Sequence, residues 1–331
     1  MKLLNLKKTA SLLRAGLMTL GFCACNANTE SAAPAGGKKL SIVTTIFPAY
    51  DWVRQIAASN TDNIDLTMLL DIGVDMHSYQ PTAQDIMKIS SCDVFIYVGG
   101  ESDEWVEDAL AEAVNKDMQV VNLMDLLGNY VLEEEIVEGM QAEEEEEEAE
   151  EGEEEIEYDE HVWLSIRNAQ ILVTGIADAM SAADPDNTDL YHSNASAYYD
   201  ALSQLDTKYK EAIETSAKNT VLFGDRFPFR YLIEDYYLNY YAAFVGCSAE
   251  TEASFETIVF LSGKVDELGL NYVLVIDGSD CSIAQTIIDN TAAKNQEILV
   301  LNSMQSTKTT DGDTYVSIML DNLEVLTKAL E

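Results

Sequence analysis

Histidine, cysteine, proline and positive charge are all scarce in this chain of 331 residues, which has three histidines, five cysteines, five prolines and only 19 Lys and Arg. The 59 acids opposing those bases set a formal net charge of -40. A surface so negative repels phosphate backbones, which excludes nucleic acid as a partner, and attracts cations. Beyond the first 25 residues only Cys92, Cys247 and Cys281 remain, odd in number and far apart. That spacing forms neither a disulfide framework nor a CxxC metal knot, so they read as small buried hydrophobes, with room for one bridge. No later run of about 18 apolar residues offers a membrane span. HExxH, HxE…PCxxC, GxSxG and GxxxxGK[ST] are all missing. At 47% apolar, the chain is long enough for two domains or one large one.

The N-terminal segment MKLLNLKKTASLLRAGLMTLGFCA carries Lys2, Lys7, Lys8 and Arg14 ahead of a short apolar stretch and contains no acid. This is the charge order of a secretory signal over residues 1–24. Ala24 precedes Cys25 and a polar tail follows. The segment resembles a bacterial lipoprotein signal, which implies a lipidated Cys25 heading a linker over 25–38 and an extracytoplasmic, membrane-anchored protein.

From residue 39 apolar, β-rich runs alternate with helical stretches: LSIVTTIF, LTMLL, DVFIYVG and QVVNL, then NTVLFG, YYAAF, NYVLVID and EILVLN. Near-continuous apolar strands separated by helices predict an α/β fold of two lobes, each a mainly parallel sheet flanked by helices. Helices are expected near 254–268, 282–291 and 314–330. Between the two series lies TDLYHSNASAYYDALSQLDTKYKEAIETS, free of Gly and Pro, with apolar residues at helical spacing. One long rigid helix over 188–217 is therefore expected to join an N-terminal lobe at 39–187 to a C-terminal lobe at 218–331. Residues 133–157 form a low-complexity acidic insertion, and residues 133–160 hold 18 acids with no Lys or Arg. Like charges at that density predict a mobile loop, serving as a solvated spacer or a weak collector of cations.

Two of the three histidines stand at loop-to-helix junctions. His77 lies in GVDMHSYQPTAQDI directly after LTMLL, where Thr82 and Asp85 mark a helix start. His161 lies in YDEHVWLS, where the acidic insertion ends. Open α/β sheets bind ligands outside the carboxyl ends of their strands, so each residue reads either as a solvated loop histidine or as a ligand. His192 falls within the linking helix and reads as a surface residue. Phe227, Phe229, Tyr231, Tyr236, Tyr237, Tyr240 and Tyr241 read as packing between lobes.

Taken together, these two motifs, the acidic insertion before the second, the long central helix, TTIFPAYDWV at the first strand and TYVSIMLDNLEVLTKAL at the C-terminus resemble the metal-binding solute-binding proteins of zinc and manganese ABC importers. The resemblance covers residues 39–331. It implies a monomeric receptor that holds one divalent ion between its lobes and delivers it to a permease with an ATPase on other chains. It further implies His77 and His161 as the first two metal ligands. In the third motif, LFGDRFPFRYLIEDYYL, alignment on Tyr231 puts the expected ligand at Arg226, which cannot bind a cation, whereas the adjacent Asp225 can. The fourth position falls in VLVIDGSDCS, on Asp277 with Asp280 in reserve. Arg226 is then expected to hold a nearby carboxylate, while Asp75 reads as a solvated loop acid, with acceptance of the second ring N–H of His77 as the alternative.

Imidazoles suit zinc and carboxylates suit manganese, so the set His77, His161, Asp225 and Asp277 leaves both open, with zinc ahead. Two other classes stand beside this reading. A secreted metal-dependent hydrolase uses similar ligands, although a closed four-ligand site favours transfer over catalysis. A receptor of the same fold for an organic ligand is the other.

Overall fold

Each strand in the first half is a run of four or five residues bounded by turn chemistry, and each is followed by a helix whose start is signalled locally. In the computed structural model, which describes residues 38–141, 157–248 and 252–331, the order begins β1 (Leu40–Thr44), α1 (Phe47–Ala57), β2 (Ile64–Met68), α2 (Ala83–Ser91), β3 (Val94–Tyr97), α3 (Trp105–Ala111), β4 (Gln119–Asn122) and α4 (Leu123–Leu127). Pro48 in the first turn suits the start of α1, where its missing N–H leaves no bond unmade. Thr82 and Asp85 form the expected capping box on α2. Then come α5 (Ile166–Ala183) and α6 (Thr188–Glu214), a helix of 27 residues about 40 Å long.

The second half repeats the grammar with β5 (Thr220–Phe227), α7 (Arg230–Tyr236), β6 (Asn239–Val245), α8 (Phe255–Leu268), β7 (Tyr272–Ile276), α9 (Ser282–Asn290), β8 (Glu297–Leu301) and α10 (Tyr315–Ala329). All ladders in both four-stranded sheets are parallel, with orders β2-β1-β3-β4 and β6-β5-β7-β8. The two-sheet, helix-linked α/β architecture expected from the sequence is the one found. The period of two is visible in the core. Val273 and Val275 of β7 pack with Leu222 against α8 and α9, whereas Leu274 and Ile276 face the opposite way with Phe223.

That second cluster is shared with the first half of the chain, because α10 returns to it. Tyr315 at the start of α10 is fully buried; its N–H donates to Asp51 of α1 at 2.9 Å, and its hydroxyl donates to the Trp163 carbonyl at 2.8 Å. The Trp52 ring meets it edge-on at 5.3 Å. The Trp163 indole in turn donates to the Ser303 carbonyl at 2.9 Å, and the Tyr209 hydroxyl of α6 to the Met319 carbonyl. Buried tyrosine and tryptophan thus find polar partners at the tips of large apolar rings.

Two expectations need correcting here. The acidic insertion is not loose from its first residue: Glu133 bridges Tyr158 in antiparallel fashion, Arg230 pairs with Glu135 at 3.3 Å, and the Gln141 N–H donates to the Ala243 carbonyl. Residues 142–156, the densest part, lie outside the described residues, as do the signal segment and Cys25. Nor does a bridge form between the described cysteines, since Cys92, Cys247 and Cys281 are all free. Among the described residues no helix is long and apolar enough to cross a membrane.

Candidate metal site

In an open sheet of order 2-1-3-4, adjacent connections leave in opposite directions and open a crevice at the carboxyl ends of the strands. Residues following β2 and β3 and those following β6 meet in this region. After β2 the chain makes one 3-10 turn at Met76–Ser78, started by Asp75, whose carboxylate accepts the His77 backbone N–H at 3.1 Å. His161 stands before a second such turn, Val162–Leu164, ahead of the Ser165 cap of α5.

The two imidazoles face each other with Nε2 atoms 3.2 Å apart. Each has its other nitrogen held. His77 Nδ1 lies 2.7 Å from the Ser102 hydroxyl and 3.6 Å from Glu160 Oε2. His161 Nδ1 lies 3.0 Å from Asp159 Oδ1, which also accepts the His161 backbone N–H at 2.8 Å. A carboxylate only accepts, so Nδ1 of His161 carries a hydrogen toward Asp159, and a ring that binds metal through Nε2 gives up any hydrogen there. Burial first, then the neighbouring His161 ring, hold the His77 imidazole down to about 3, with Arg226 adding to the effect and Asp75 opposing it. His77 is therefore neutral at physiological pH, as a metal ligand must be.

A third donor arrives from the second sheet. Cys247 follows β6 and Gly246, and among the described residues its sulfur joins the two histidines in a group whose ligand atoms all lie within 4.8 Å of one another. Gly246 permits this approach: a Cβ there would meet the His161 ring at 3.0–3.1 Å and the Phe227 carbonyl at 2.9 Å. Burial, then Asp159, Glu134 and Glu160, push the Cys247 thiol well up. Gln305 closes another side. Its amide nitrogen donates to the Asp75 oxygens at 2.8 and 2.9 Å, and its amide oxygen accepts from His161 Nε2 at 2.8 Å, a bond that an ion at Nε2 would displace.

The predicted carboxylates are placed differently. Asp225 and Asp277 line an adjoining cleft of about 510 Å³, which also contains Asp75, Arg226, Asp280 and Gln305. Strand β5 runs two residues past Asp225, through a register shift between Phe223 and Arg226, and the Asp225 carboxylate accepts the N–H groups of Arg226 and Ile276. Asp277 accepts the Ser303 N–H and hydroxyl at 2.7 Å each and the Ser306 hydroxyl at 2.5 Å. Both are occupied in holding loops, and neither is in the three-atom group. Arg226 does hold a carboxylate, donating to Asp75 at 2.5 Å and to the Ser248 carbonyl at 3.3 Å. Asp75, however, accepts the backbone N–H of His77 instead of its ring N–H, which Ser102 and Glu160 flank. His192 lies on the exposed side of α6 near Asp178. Cys92 is fully buried, as expected; Cys247 is the cysteine whose setting the sequence reading missed. Its signal was a Gly-Cys pair at the carboxyl end of an apolar strand.

The family model described as "ZnuA: Zinc-uptake complex component A periplasmic" matches residues 42–329. The chain belongs to this family. It is 30% identical over 321 residues to the "High-affinity zinc uptake system protein ZnuA" of Bacillus subtilis, covering 95% of this chain and 97% of that one. It is 31% identical to the "Zinc-binding lipoprotein AdcA" of Streptococcus pneumoniae R6 over 96% of this chain, but spans 60% of that protein's length. The crystal structure of the Zn(II)-bound ZnuA-like domain of Streptococcus pneumoniae AdcA is similar to this ZnuA-family fold with a TM-score of 0.67 and 28% identity, covering 88% of this chain and 99% of that one.

Proposed function

We propose that this chain is the extracytoplasmic capture subunit of a zinc importer. It binds one zinc ion through Nε2 of His77 and His161 and delivers it, as a monomer tethered by a lipid on Cys25, to a permease driven by an ATPase on other chains. The cargo undergoes no bond chemistry, so the protein is a carrier and not an enzyme. The observation that carries this reading is the 3.2 Å separation of two imidazole nitrogens whose opposite ring atoms are already held. Two nitrogens bound to one tetrahedral zinc at roughly 2.0–2.1 Å stand about 3.3 Å apart, so the pair is spaced for the ion in advance. Family membership and zinc-named relatives support the same cargo.

The test is competitive titration of zinc and manganese into the chelator-stripped protein with a metal indicator. One tight zinc site is expected, lost in His77→Ala and His161→Ala and retained in Asp225→Asn and Asp277→Asn. Unaltered affinity in both histidine variants would sink the reading. Loss of affinity in either aspartate variant would instead add that residue to the ligands. Chelator-sensitive turnover of a phosphoester would replace the carrier with a hydrolase.

A further inference from the structure

We infer that the third protein ligand of the captured ion is the sulfur of Cys247, so that this chain holds its cargo with two imidazoles and one thiolate and thereby selects thiophilic ions over manganese. The inference rests on the reading of His77 and His161 as the metal pair and deepens it.

Three independent features place the sulfur there. The first is distance: the Cys247 sulfur and one ring nitrogen from each histidine form a group within 4.8 Å. Zinc bonds of about 2.3 Å to sulfur and about 2.0–2.1 Å to nitrogen put such atoms roughly 3.3–3.6 Å apart in a tetrahedron, a contraction that small side-chain rotations accomplish. The second is the backbone that delivers it. Just past β6, Gly246 permits the close approach, since a Cβ there would clash with the Phe227 carbonyl at 2.9 Å and crowd the His161 ring at 3.0–3.1 Å. The third is charge. Asp159 and Glu160 are each 2% exposed beside these ligands, and Glu160 Oε2 has no hydrogen-bond partner among the described residues. The Arg226 guanidinium is committed to Asp75. Buried carboxylates beside uncharged donors lack a cation, and a divalent ion supplies it. On binding, the metal–sulfur bond forms as the S–H bond breaks, and the proton leaves to solvent.

The same geometry explains selectivity. The carboxylates that would favour manganese, Asp225 and Asp277, are engaged by Arg226, Ile276, Ser303 and Ser306. Arg226 stands where a further ligand was expected, and its charge keeps that side closed to a cation. Two imidazoles and a thiolate suit zinc, cadmium and copper(I), whereas manganese gains little from sulfur.

The test uses the full chain stripped of metal and titrated with cobalt(II), whose bond to a thiolate gives an intense near-ultraviolet charge-transfer band absent from nitrogen and oxygen ligands. The wild-type protein should show the band, and zinc should erase it. Cys247→Ser should lose the band and bind zinc more weakly by more than about a hundredfold, beyond what loss of an outer partner costs, with manganese affinity little changed. Cys247→Asp should narrow the preference for zinc over manganese. Tight cobalt binding without the band in the wild type overturns the assignment without reference to any variant, as does wild-type zinc affinity in Cys247→Ser. If those results came with loss of binding in His77→Ala and His161→Ala, only the thiolate would fall. If the histidine variants also kept wild-type affinity, the whole site would fall.

Discussion

Asp159→Asn should weaken zinc binding by more than it destabilises the metal-free protein. The carboxylate makes two contacts to one residue, 3.0 Å to His161 Nδ1 and 2.8 Å to its backbone N–H. Both hydrogen bonds are assisted by charge, worth about 1.5–3 kcal/mol each against about 0.5–1.5 for neutral ones. Asparagine keeps an oxygen in place and loses the charge, so the expected change is the difference in one bond that strengthens as the ring ligates metal, about 1.5 kcal/mol or tenfold in affinity. Asp159→Ala removes the oxygen as well and should cost closer to a hundredfold, at the upper end of losses for partners behind a metal-bound histidine.

The stability arm is the smaller for a structural reason. Asp159 sits among buried acids, and after burial itself its charge is the next cause pushing the Glu134 carboxyl up to about 7. Removing one charge from that group relieves repulsion when no ion is present. Indicator competition measures the affinity, and thermal unfolding with and without excess zinc measures stability. Unaltered zinc affinity in Asp159→Asn would refute the argument. So would a metal-free unfolding temperature that fell as far as the affinity did, because the loss would then be structural.

Two further outcomes are expected. Tyr315→Phe removes a buried hydroxyl and leaves the Trp163 carbonyl without its donor, so urea unfolding should show a loss of about 1–3 kcal/mol; a change below about 0.5 kcal/mol would show that the tie contributes little. Burial raises the Asp103 carboxyl to about 7, Glu160 adding and the Val98 and Gly99 N–H groups opposing. The folded state therefore holds this proton more tightly than the unfolded chain, and the stability it lends is complete below the ordinary carboxylate range and lost as pH rises towards 7. Asp103→Asn should flatten unfolding free energy across that window, and a slope equal to wild type would contradict the assignment.

The strands and helices were legible because period and chemistry agreed locally. Apolar runs of four to eight residues became β1 to β8, Thr82 with Asp85 became a capping box, and the stretch free of Gly and Pro became α6. The two histidines that the fold brings together were legible as candidates because each sat at a strand end or helix start in a chain with few others. Cys247 was not, since a lone cysteine after an apolar strand looks like core filler until the second sheet is set against His161. Asp225 and Asp277 looked available because strand-end acids often are; which N–H and hydroxyl groups would occupy them depends on loops some 26 to 51 residues away. The first residues of the acidic insertion misled in the other direction, because Arg230 and Ala243, the groups that fix them, lie far along the chain.

The return of α10 has a consequence for how the chain acquires its form. The hydrogen bond from Tyr315 to Asp51 closes a loop of 264 positions, and Trp163, two residues beyond His161, is fastened through Ser303 and Tyr315. Contacts of such long sequence separation slow folding, since their loop-closure entropy must be met before they stabilise anything. A nascent chain that has produced both histidines still lacks the groups that seat His161. If the ion is held as proposed, competence to retain it follows the docking of α10, which fastens the segment that carries His161.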